Sequence, residues 1–461
     1  MIRFQSSHRL RLVLGAAGAV LILAALSAAA PAAEAAKPNL LVVVTDDQRA
    51  EGTLGVMPKT VDWLGDRGKT FSDAYATTPL CCPSRVSIFT GQYAHNHGVF
   101  FNQDPNKMDP EQSVQARLQD AGYVTGIVGK YLLNEPIAEN PPHWDQFAIT
   151  AGQYLGARWN LNGRLAKVPD YSTTFTAERA TRFIRDRDKQ EAKKPWFLYV
   201  ATGAPHGPAR PEARYRKADV GPLPKTPAVK ERDLSDKPPF WQDLIEKFSP
   251  QPGFGKAAAV REAQLRTLMS VDDLVGDLEQ ELRRSGELEK TLVIFSSDNG
   301  LLWGEHGGVT IKDMPWLESS KIPMLLSWPG EVEPGGVDHR LVANIDIAPT
   351  LLDAAKVEGR ATMDGRSMLG GHRREDLLLE YGGLGDRIAA WGSLTSKPSQ
   401  YTAYEPVGPF EAFEEYYDLR GDPFQLENLL GNATPADDPS NLAALRARLT
   451  RYLTCAGSSC P

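Results

Sequence analysis

Four runs of apolar residues recur along the chain, and each ends in a turn of polar or small residues. The runs cover residues 39–44, 123–128, 196–201 and 291–297. They do not alternate between apolar and polar positions, which is typical of strands buried on both faces of a parallel sheet. Helical patterns lie between the runs, for example at 173–187 and 256–286. A further helix is predicted to begin directly after Asp346, with Asp346 as its capping residue. The sequence therefore predicts an α/β fold in which helices flank a mainly parallel central sheet.

The pattern changes in the last part of the chain. Short strand-like segments with turn signals occur there, for example 387–392 and 416–419, and a helical segment at 441–452 follows them. This change predicts a smaller α+β subdomain at residues 371–461, which needs the main α/β domain of residues 37–370 to complete its core.

The first residues have the composition of an export signal. Basic residues precede an apolar run at 12–30, and the small-residue motif Ala33-Glu34-Ala35 follows that run. We therefore expect residues 1–36 to be a signal peptide and the mature protein to be secreted. An uncleaved membrane anchor is the alternative, because the run approaches the roughly 20 residues that span a bilayer.

The charge of the chain argues against a nucleic acid partner, and the spacing of its cysteines limits the possible disulfides and metal sites. The formal net charge is -7, and no strongly basic run follows the leader, so we expect no nucleic acid partner. An exported chain permits disulfides, and Cys455 and Cys460 are close enough in sequence to close a small loop. The adjacent Cys81 and Cys82 make poor partners for each other. No pair of cysteines has the spacing of a zinc site.

Polar residues follow the predicted strands at the point where each strand ends. They are Asp46 and Asp47, Lys130, His206, and Asp298 with Asn299. The carboxyl ends of parallel strands share one edge of the sheet, which is where α/β proteins bind ligands. Carboxylate and amide oxygens are the donors that Ca²⁺ and Mg²⁺ prefer. Each position taken alone also fits an ordinary surface or loop residue.

The sequence of residues 77–91 predicts a loop followed by a helix that begins at Cys81, with Pro83 in the first turn. The amide N–H groups of a helix N-terminus favour an anionic group there. Arg85, one turn further on, adds a positive charge on the same side. The alternative is an ordinary core cysteine beside a helix cap.

The segment Cys81-Cys82-Pro83-Ser84-Arg85, followed by Thr90-Gly91, resembles the signature of the type I sulfatases. The resemblance extends from Asn39 to the C-terminal region. It implies an alkaline-phosphatase-like α/β sandwich and a formylglycine nucleophile, made from Cys81 by a formylglycine-generating enzyme. It also implies one bound Ca²⁺, or else Mg²⁺. The residues implied to hold this ion are Asp46, Asp47, Asp298, Asn299 and the modified Cys81.

The same resemblance assigns roles to the basic residues. Arg85 would fix the formylglycine hydrate, Lys130 and Lys312 would hold the sulfate, and His206 would protonate the departing alcohol. One hydroxyl of the hydrate would attack sulfur, and the other would then expel sulfate and regenerate the aldehyde. The implied function is an exported sulfatase that hydrolyses sulfate esters of sugars or aryl alcohols.

One position departs from the family pattern. Many sulfatases have a histidine two residues after the strand-end lysine, where this chain has Leu132. The local sequence is similar to the N-acetylglucosamine-6-sulfatase branch. The segments that carry this similarity are Gly129-Lys130-Tyr131-Leu132, Asn134-Glu135, Pro141-Pro142-His143-Trp144 and His95-Asn96-His97. Asp298 or His306 is then the candidate to deprotonate the hydrate.

Two other functions fit the same residues. Phosphate and sulfate are nearly isosteric, so a phosphomonoester or phosphonate ester hydrolase of the same superfamily is one alternative. A noncatalytic exported binding protein, in which Cys81 stays a thiol, is the other. The proline-rich segment 207–255 predicts a binding loop or a lid, because long irregular insertions in compact domains are usually functional.

Overall fold

The computed structural model describes residues 37–132, 137–190, 193–248, 254–359, 361–432, 434, 436 and 438–461. The predicted leader and the Asn134-Glu135 pair lie outside the described residues. Contacts join residues 37–461 into one unit. None of the described helices is both long enough and apolar enough to cross a bilayer.

The largest sheet has ten strands within the described part of the chain. They are β1 (Asn39–Thr45), β2 (Lys69–Tyr75), β3 (Val124–Lys130), β4 (Gln146–Thr150), β5 (Arg158–Leu161), β6 (Arg164–Lys167), β7 (Trp196–Ala201), β8 (Thr291–Ser297), β9 (Met324–Ser327) and β10 (Val337–Ala343). Their order is β10-β2-β9-β8-β1-β7-β3-β4-β5-β6. The central strands β8, β1, β7, β3 and β4 run parallel, and β9 and β5 are antiparallel to their neighbours. This confirms the predicted mainly parallel sheet.

Helices cover both faces of this sheet. The longer ones are Cys81–Thr90, Val114–Asp120, Ser172–Asp188, Pro239–Phe248, Phe254–Ser285, Ile347–Ala354 and Leu442–Tyr452. Shorter helical segments are Pro58–Thr60, Val61–Asp66, Ala94–His97, Pro227–Lys230, Glu305–Gly308 and Leu317–Ser320. Strand β1 has buried apolar side chains on both faces of the sheet, and each face is covered by a helix. Its Val42 and Val44 pack with the Cys81–Thr90 helix, whereas Leu41 and Val43 pack with the Phe254–Ser285 helix.

The described residues also form a smaller antiparallel sheet near the C-terminus, in the order β11-β12-β13-β14. Its strands are β11 (Asp376–Tyr381), β12 (Trp391–Ser396), β13 (Ser399–Tyr404) and β14 (Phe413–Asp418). The sheet shares a buried cluster with Trp241 and Trp316, so its core includes residues from outside it. The structure contains the Cys455–Cys460 disulfide.

Two local predictions were wrong. The strand predicted at 387–392 begins only at Trp391, because Leu384 and Ile388 close a turn just before it. Asp346 precedes the Ile347–Ala354 helix as predicted, but its side chain does not cap that helix. The carboxylate accepts instead from the Ala343 amide at 2.8 Å and pairs with Arg374 at 2.6 Å.

Candidate active site

The carboxyl ends of β8, β1, β7 and β3 lie side by side, since these four strands are neighbours and parallel. The polar residues at these ends are Asp298 and Asn299 after β8, Asp46 and Asp47 after β1, His206 after β7, and Lys130 at the end of β3. Thr45 pairs with Ser297, so β1 and β8 end at the same level of the sheet. Four distant stretches of sequence thus bring their polar residues to one edge of the sheet.

The helix predicted at Cys81 begins at that residue, after an extended Leu80, and ends at Thr90. The next residue, Gly91, has a left-handed φ of 68°. The thiol therefore lies in the first helical turn. Its Sγ is 3.5 Å from Asp46 Oδ1, and the residue is 1% exposed. The helix N-terminus thus meets the end of β1.

Asn102 is a residue of this site that the sequence did not reveal. Its Oδ1 accepts a hydrogen bond from the Cys82 amide at 2.9 Å, so it satisfies one of the free donors at the helix start. A helix is usually capped by the residue just before it. Asn102 lies 20 positions further along the chain, and no local pattern indicates such a contact.

Arg85 is fully buried and anchors the end of β8 to the helix. Its Nε and Nη2 each lie 2.9 Å from Asp298 Oδ2, and its Nη1 is 3.1 Å from the carbonyl oxygen of Lys130. Ser84 Oγ donates to the Asp298 carbonyl. Burial alone would lower the pKa of Arg85, but the Asp298 carboxylate raises it, so the guanidinium stays charged.

Two lysines meet the acidic residues near Cys81. Lys130 Nζ contacts Asp46 Oδ2. Lys312 Nζ lies 2.9 Å from Cys81 Sγ, 2.5 Å from Asp47 Oδ1 and 3.5 Å from Asn299 Oδ1. Burial favours a raised pKa for Asp46, but the Lys130 ammonium lowers it overall. Burial raises the pKa of the Cys81 thiol, and the two lysines offset this only in part.

His206 is the most exposed member of the group, with 41% of its side chain accessible. Its Nε2 is 3.8 Å from Asp47 Oδ2. Ligand atoms of Asp46, Asp47, Cys81 and His206 all lie within 4.8 Å of one another. The Tyr154 hydroxyl donates to the His206 carbonyl at 2.9 Å, which fixes the loop that carries the imidazole.

The donor set suits a hard divalent cation. The Lys312 ammonium contacts Asp47, Cys81 and Asn299, which are three of the five residues expected to bind the metal. These groups therefore already surround one positive charge. Carboxylate and amide oxygens at such spacing match Ca²⁺ or Mg²⁺ chemistry. The Asp298 carboxylate is less available to a cation, since Arg85 contacts its Oδ2 and the Asp47 amide donates to its Oδ1 at 3.1 Å.

A sulfatase family model matches residues 38–357 of the chain, which contain every residue of this site. The chain belongs to the sulfatase family. Its match to human N-acetylglucosamine-6-sulfatase is 31% identical over 93% of the chain and 87% of the relative. It is 34% identical to an extracellular sulfatase SULF-1 homolog of Drosophila melanogaster over 72% of the chain, but spans only 31% of that relative's length.

A solved structure supports the sulfatase fold. It is a protein in complex with its substrate D-glucosamine-2-N, 6-O-disulfate, with a TM-score of 0.75 and 20% identity. The similarity covers 90% of this chain and 97% of the other. At this identity it establishes the fold, which includes the mostly parallel sheet and the smaller antiparallel sheet.

His306, one of the two residues predicted to deprotonate the hydrate, is held by partners other than Cys81. It is fully buried, and its Nδ1 lies 2.6 Å from Glu231 Oε2. Its ring packs on Trp316 with centroids 4.5 Å apart. Glu231 belongs to the proline-rich segment 207–255, so part of that segment anchors the loop of His306. Asp298, the other prediction, is bound to Arg85 as described above.

The two histidines after the Cys81–Thr90 helix have structural partners. His97 Nε2 is 3.0 Å from Ser87 Oγ. His95 lies between two acceptors, since its Nδ1 is 3.0 Å from both oxygens of Glu380 and its Nε2 is 2.9 Å from the Cys455 carbonyl. A ring whose nitrogens both face acceptors bonds both only as an imidazolium. His95 therefore connects β11 to the disulfide loop.

We expect this connection to weaken at high pH. Burial alone would lower the pKa of His95, but Glu380 raises it. Stabilisation by His95 is then complete below its unfolded pKa of about 6.5 and is lost as pH rises through the higher folded pKa. The loss of Tm in His95→Gln should thus be larger at pH 5 than at pH 9. An equal loss at both pH values would contradict the charged state of His95.

Proposed function

We propose that the chain hydrolyses sulfate esters after Cys81 has been oxidised to formylglycine. One observation carries this proposal: a buried Cys81 at a helix N-terminus lies within hydrogen-bonding distance of a lysine and of an aspartate. The match to human N-acetylglucosamine-6-sulfatase over most of both chains supports it. A formylglycine hydrate supplies two hydroxyls, one to attack sulfur and one to expel sulfate afterwards.

The charges of the site support binding of an anion together with a divalent cation. Among the site residues described above, the carboxylates of Asp46, Asp47 and Asp298 balance the cations of Arg85, Lys130 and Lys312. Adding a divalent ion would leave a net charge of about +2, which the single negative charge of a sulfate ester would offset in part. We propose that Asp46, Asp47, Asp298, Asn299 and residue 81 hold one Ca²⁺, with Mg²⁺ as the alternative. The ion would polarise the sulfate oxygens.

The basic residues of the chain then have separate tasks. Lys130 and Lys312, which approach Cys81 from different strands and loops, hold the sulfate oxygens on which charge increases in the transition state. Arg85 orients the end of β8 through Asp298, and we assign to it the task of fixing the formylglycine hydrate at residue 81. His206, exposed at the rim, gives a proton to the departing alcohol oxygen.

The role of His206 predicts a dependence on the leaving group. His206→Gln should lower kcat/KM by about 10²-fold or more for a sugar sulfate, whose alkoxide needs a proton. The loss for 4-nitrophenyl sulfate should be much smaller, since nitrophenolate leaves without protonation. Steady-state kinetics on both esters measure the difference. Equal losses on the two esters would remove the assignment of His206 as the acid.

The substrate class we propose is 6-O-sulfated N-acetylglucosamine, as the name of the human relative indicates for that protein. The test is hydrolysis of a panel of sulfated saccharides, aryl sulfates and matched phosphate and phosphonate esters, with and without a chelator. We expect metal-dependent release of sulfate. Faster hydrolysis of phosphate or phosphonate esters would favour the alternative hydrolase. An unmodified Cys81 thiol and no hydrolysis in protein from its native host would favour a binding protein.

We further propose that the chain is exported after cleavage near residue 36. The extracellular sulfatase homologs among its relatives support this location. The Cys455–Cys460 disulfide is also the kind of bond that persists outside the cytoplasm. N-terminal sequencing of the protein from culture medium tests the proposal. Recovery of the full-length chain in membranes alone would contradict it.

A further inference from the structure

One cavity opens beside His206, and a second cavity adjoins the first. The first, of about 430 Å³, is lined by residues 151–155, 206–208 and Arg210. The second, of about 540 Å³, shares Leu155 and Arg210 with the first. It continues past Arg216 and Arg266. We call the continuous depression formed by both cavities the arginine groove. Its combined size is that of a site for a ligand larger than one sulfate group.

The arginine groove touches the candidate active site at two points. His206 belongs to its wall and is 3.8 Å from Asp47. Gly152, also in the wall, lies so close to Lys130 that a Cβ built on it would be 3.4 Å from Lys130 Cδ. Because His206 is the proposed donor to the departing alcohol, the groove begins where the leaving group would lie. It therefore extends away from the scissile bond on the leaving-group side.

The charge of the groove is opposite to that of the whole chain. Its described lining residues include Arg210, Arg216 and Arg266 and one acidic residue, Glu262. Glu262 pairs with Arg266 at 3.2 Å, which leaves Arg210 and Arg216 to carry the excess positive charge. The complete sequence has a net charge of -7. A positive groove in an acidic protein favours an anionic ligand locally.

The arginine groove also offers an apolar surface. Leu155, which lines both cavities, is 49% exposed. Arg210 lies between Pro208 and Pro211, and its carbonyl accepts a hydrogen bond from Tyr171 at 2.9 Å. Prolines restrict the backbone on both sides, so the position of the arginine is defined although its side chain is accessible. An apolar patch beside a positioned guanidinium fits a sugar ring that carries an anionic substituent.

We propose that the arginine groove, beyond the end at His206 that receives the departing sugar, binds the sugar next to it, and that Arg210 pairs with a sulfate or carboxylate on that neighbouring sugar. The preferred substrate is then an anionic oligosaccharide rather than a monosaccharide sulfate. This inference rests on the proposed sulfatase activity, since it assigns the leaving-group side of the same site. Arg216 extends recognition to the following anionic group.

The test compares substrates that do and do not reach the groove. The probes are 4-nitrophenyl sulfate, a heparin-derived tetrasaccharide with a terminal 6-O-sulfated glucosamine, and that tetrasaccharide with its other anionic groups removed. For Arg210→Gln we expect kcat/KM on the charged tetrasaccharide to fall about 10- to 100-fold, and activity on 4-nitrophenyl sulfate to stay within about twofold. The neutralised tetrasaccharide should be insensitive to the substitution. Arg420→Gln, outside both cavities, is the matched control.

An unchanged ratio of tetrasaccharide to 4-nitrophenyl sulfate activity in Arg210→Gln would overturn the inference, as would a wild-type preference for the neutralised tetrasaccharide. Failure of the proposed function is a separate result, because wild-type protein would then hydrolyse none of the three esters. In that case calorimetric titration with the charged tetrasaccharide decides. Arg210-dependent binding would support the groove, and binding that Arg210→Gln leaves unchanged would overturn it.

Discussion

Replacing Cys81 by serine should abolish turnover of sulfate esters while the protein keeps its fold. The substitution exchanges one buried atom, and serine is well accepted at the start of a helix. A serine side chain has a single hydroxyl, so it can accept a sulfuryl group once but has no second hydroxyl with which to release it. We expect kcat to fall by at least about 10³-fold. Steady-state kinetics and intact mass of the Cys81→Ser protein after exposure to substrate measure both effects.

Cys82→Ala is the matched control, because Cys82 is the neighbouring buried cysteine and lies outside the proposed reaction. Its peptide should still show formylglycine at position 81, a residue lighter than cysteine by the exchange of sulfur for oxygen and the loss of two hydrogens. Sustained multiple turnover by Cys81→Ser would contradict the mechanism. Formylglycine at position 82 in the wild type would contradict the assignment of the modified residue.

Removing the Asp47 carboxylate should remove the metal and most of the activity. Asp47 has a left-handed φ of 67°, a conformation that asparagine also tolerates, so Asp47→Asn changes charge with little backbone strain. The carboxylate contacts Lys312 and Asn299 and lies near His206. We expect at least about a 10²-fold loss of kcat/KM and a weaker affinity for Ca²⁺, with partial recovery at high Ca²⁺. Calorimetry with Ca²⁺ and kinetics across a Ca²⁺ series measure the two losses.

Asp272→Asn controls for the loss of any buried carboxylate. Asp272 is 4% exposed and accepts hydrogen bonds from Thr60 on the face of the sheet covered by the Phe254–Ser285 helix. This variant should lose stability but keep its affinity for Ca²⁺. If Asp47→Asn bound Ca²⁺ as tightly as the wild type, Asp47 would not be a ligand. Full activity of chelated wild-type protein would exclude the metal from the reaction.

The central sheet could be predicted because its strands are buried on both faces. In β1 every residue is buried, so the apolar run is visible without any knowledge of the partners. The strands β5 and β6, at one end of the sheet, have four residues each and several exposed positions, and no pattern indicated them. Asp346 was assigned to the wrong partner since Arg374, which pairs with it, lies 28 residues later.

Some residues of the candidate site could likewise be predicted from the sequence, and others could not. Strand-end residues such as Asp46 and Lys130 were predictable, because parallel strands bring their carboxyl ends to one edge. Asn102 and Tyr154 reach the site from loops, and such contacts depend on packing that no local pattern encodes. His306 is close to Asp298 in sequence, yet Glu231 from the proline-rich segment turns it elsewhere.

The burial of Cys81 limits when its side chain can be modified during biosynthesis. At 1% exposed, between a helix and the end of a strand, its side chain is closed to another protein once the chain has folded. If Cys81 is oxidised as we propose, the oxidising enzyme would therefore act before the chain has folded, in competition with folding itself. Molecules that fold first would remain permanently immature, so the active share of a preparation reports the relative speed of two processes during biosynthesis.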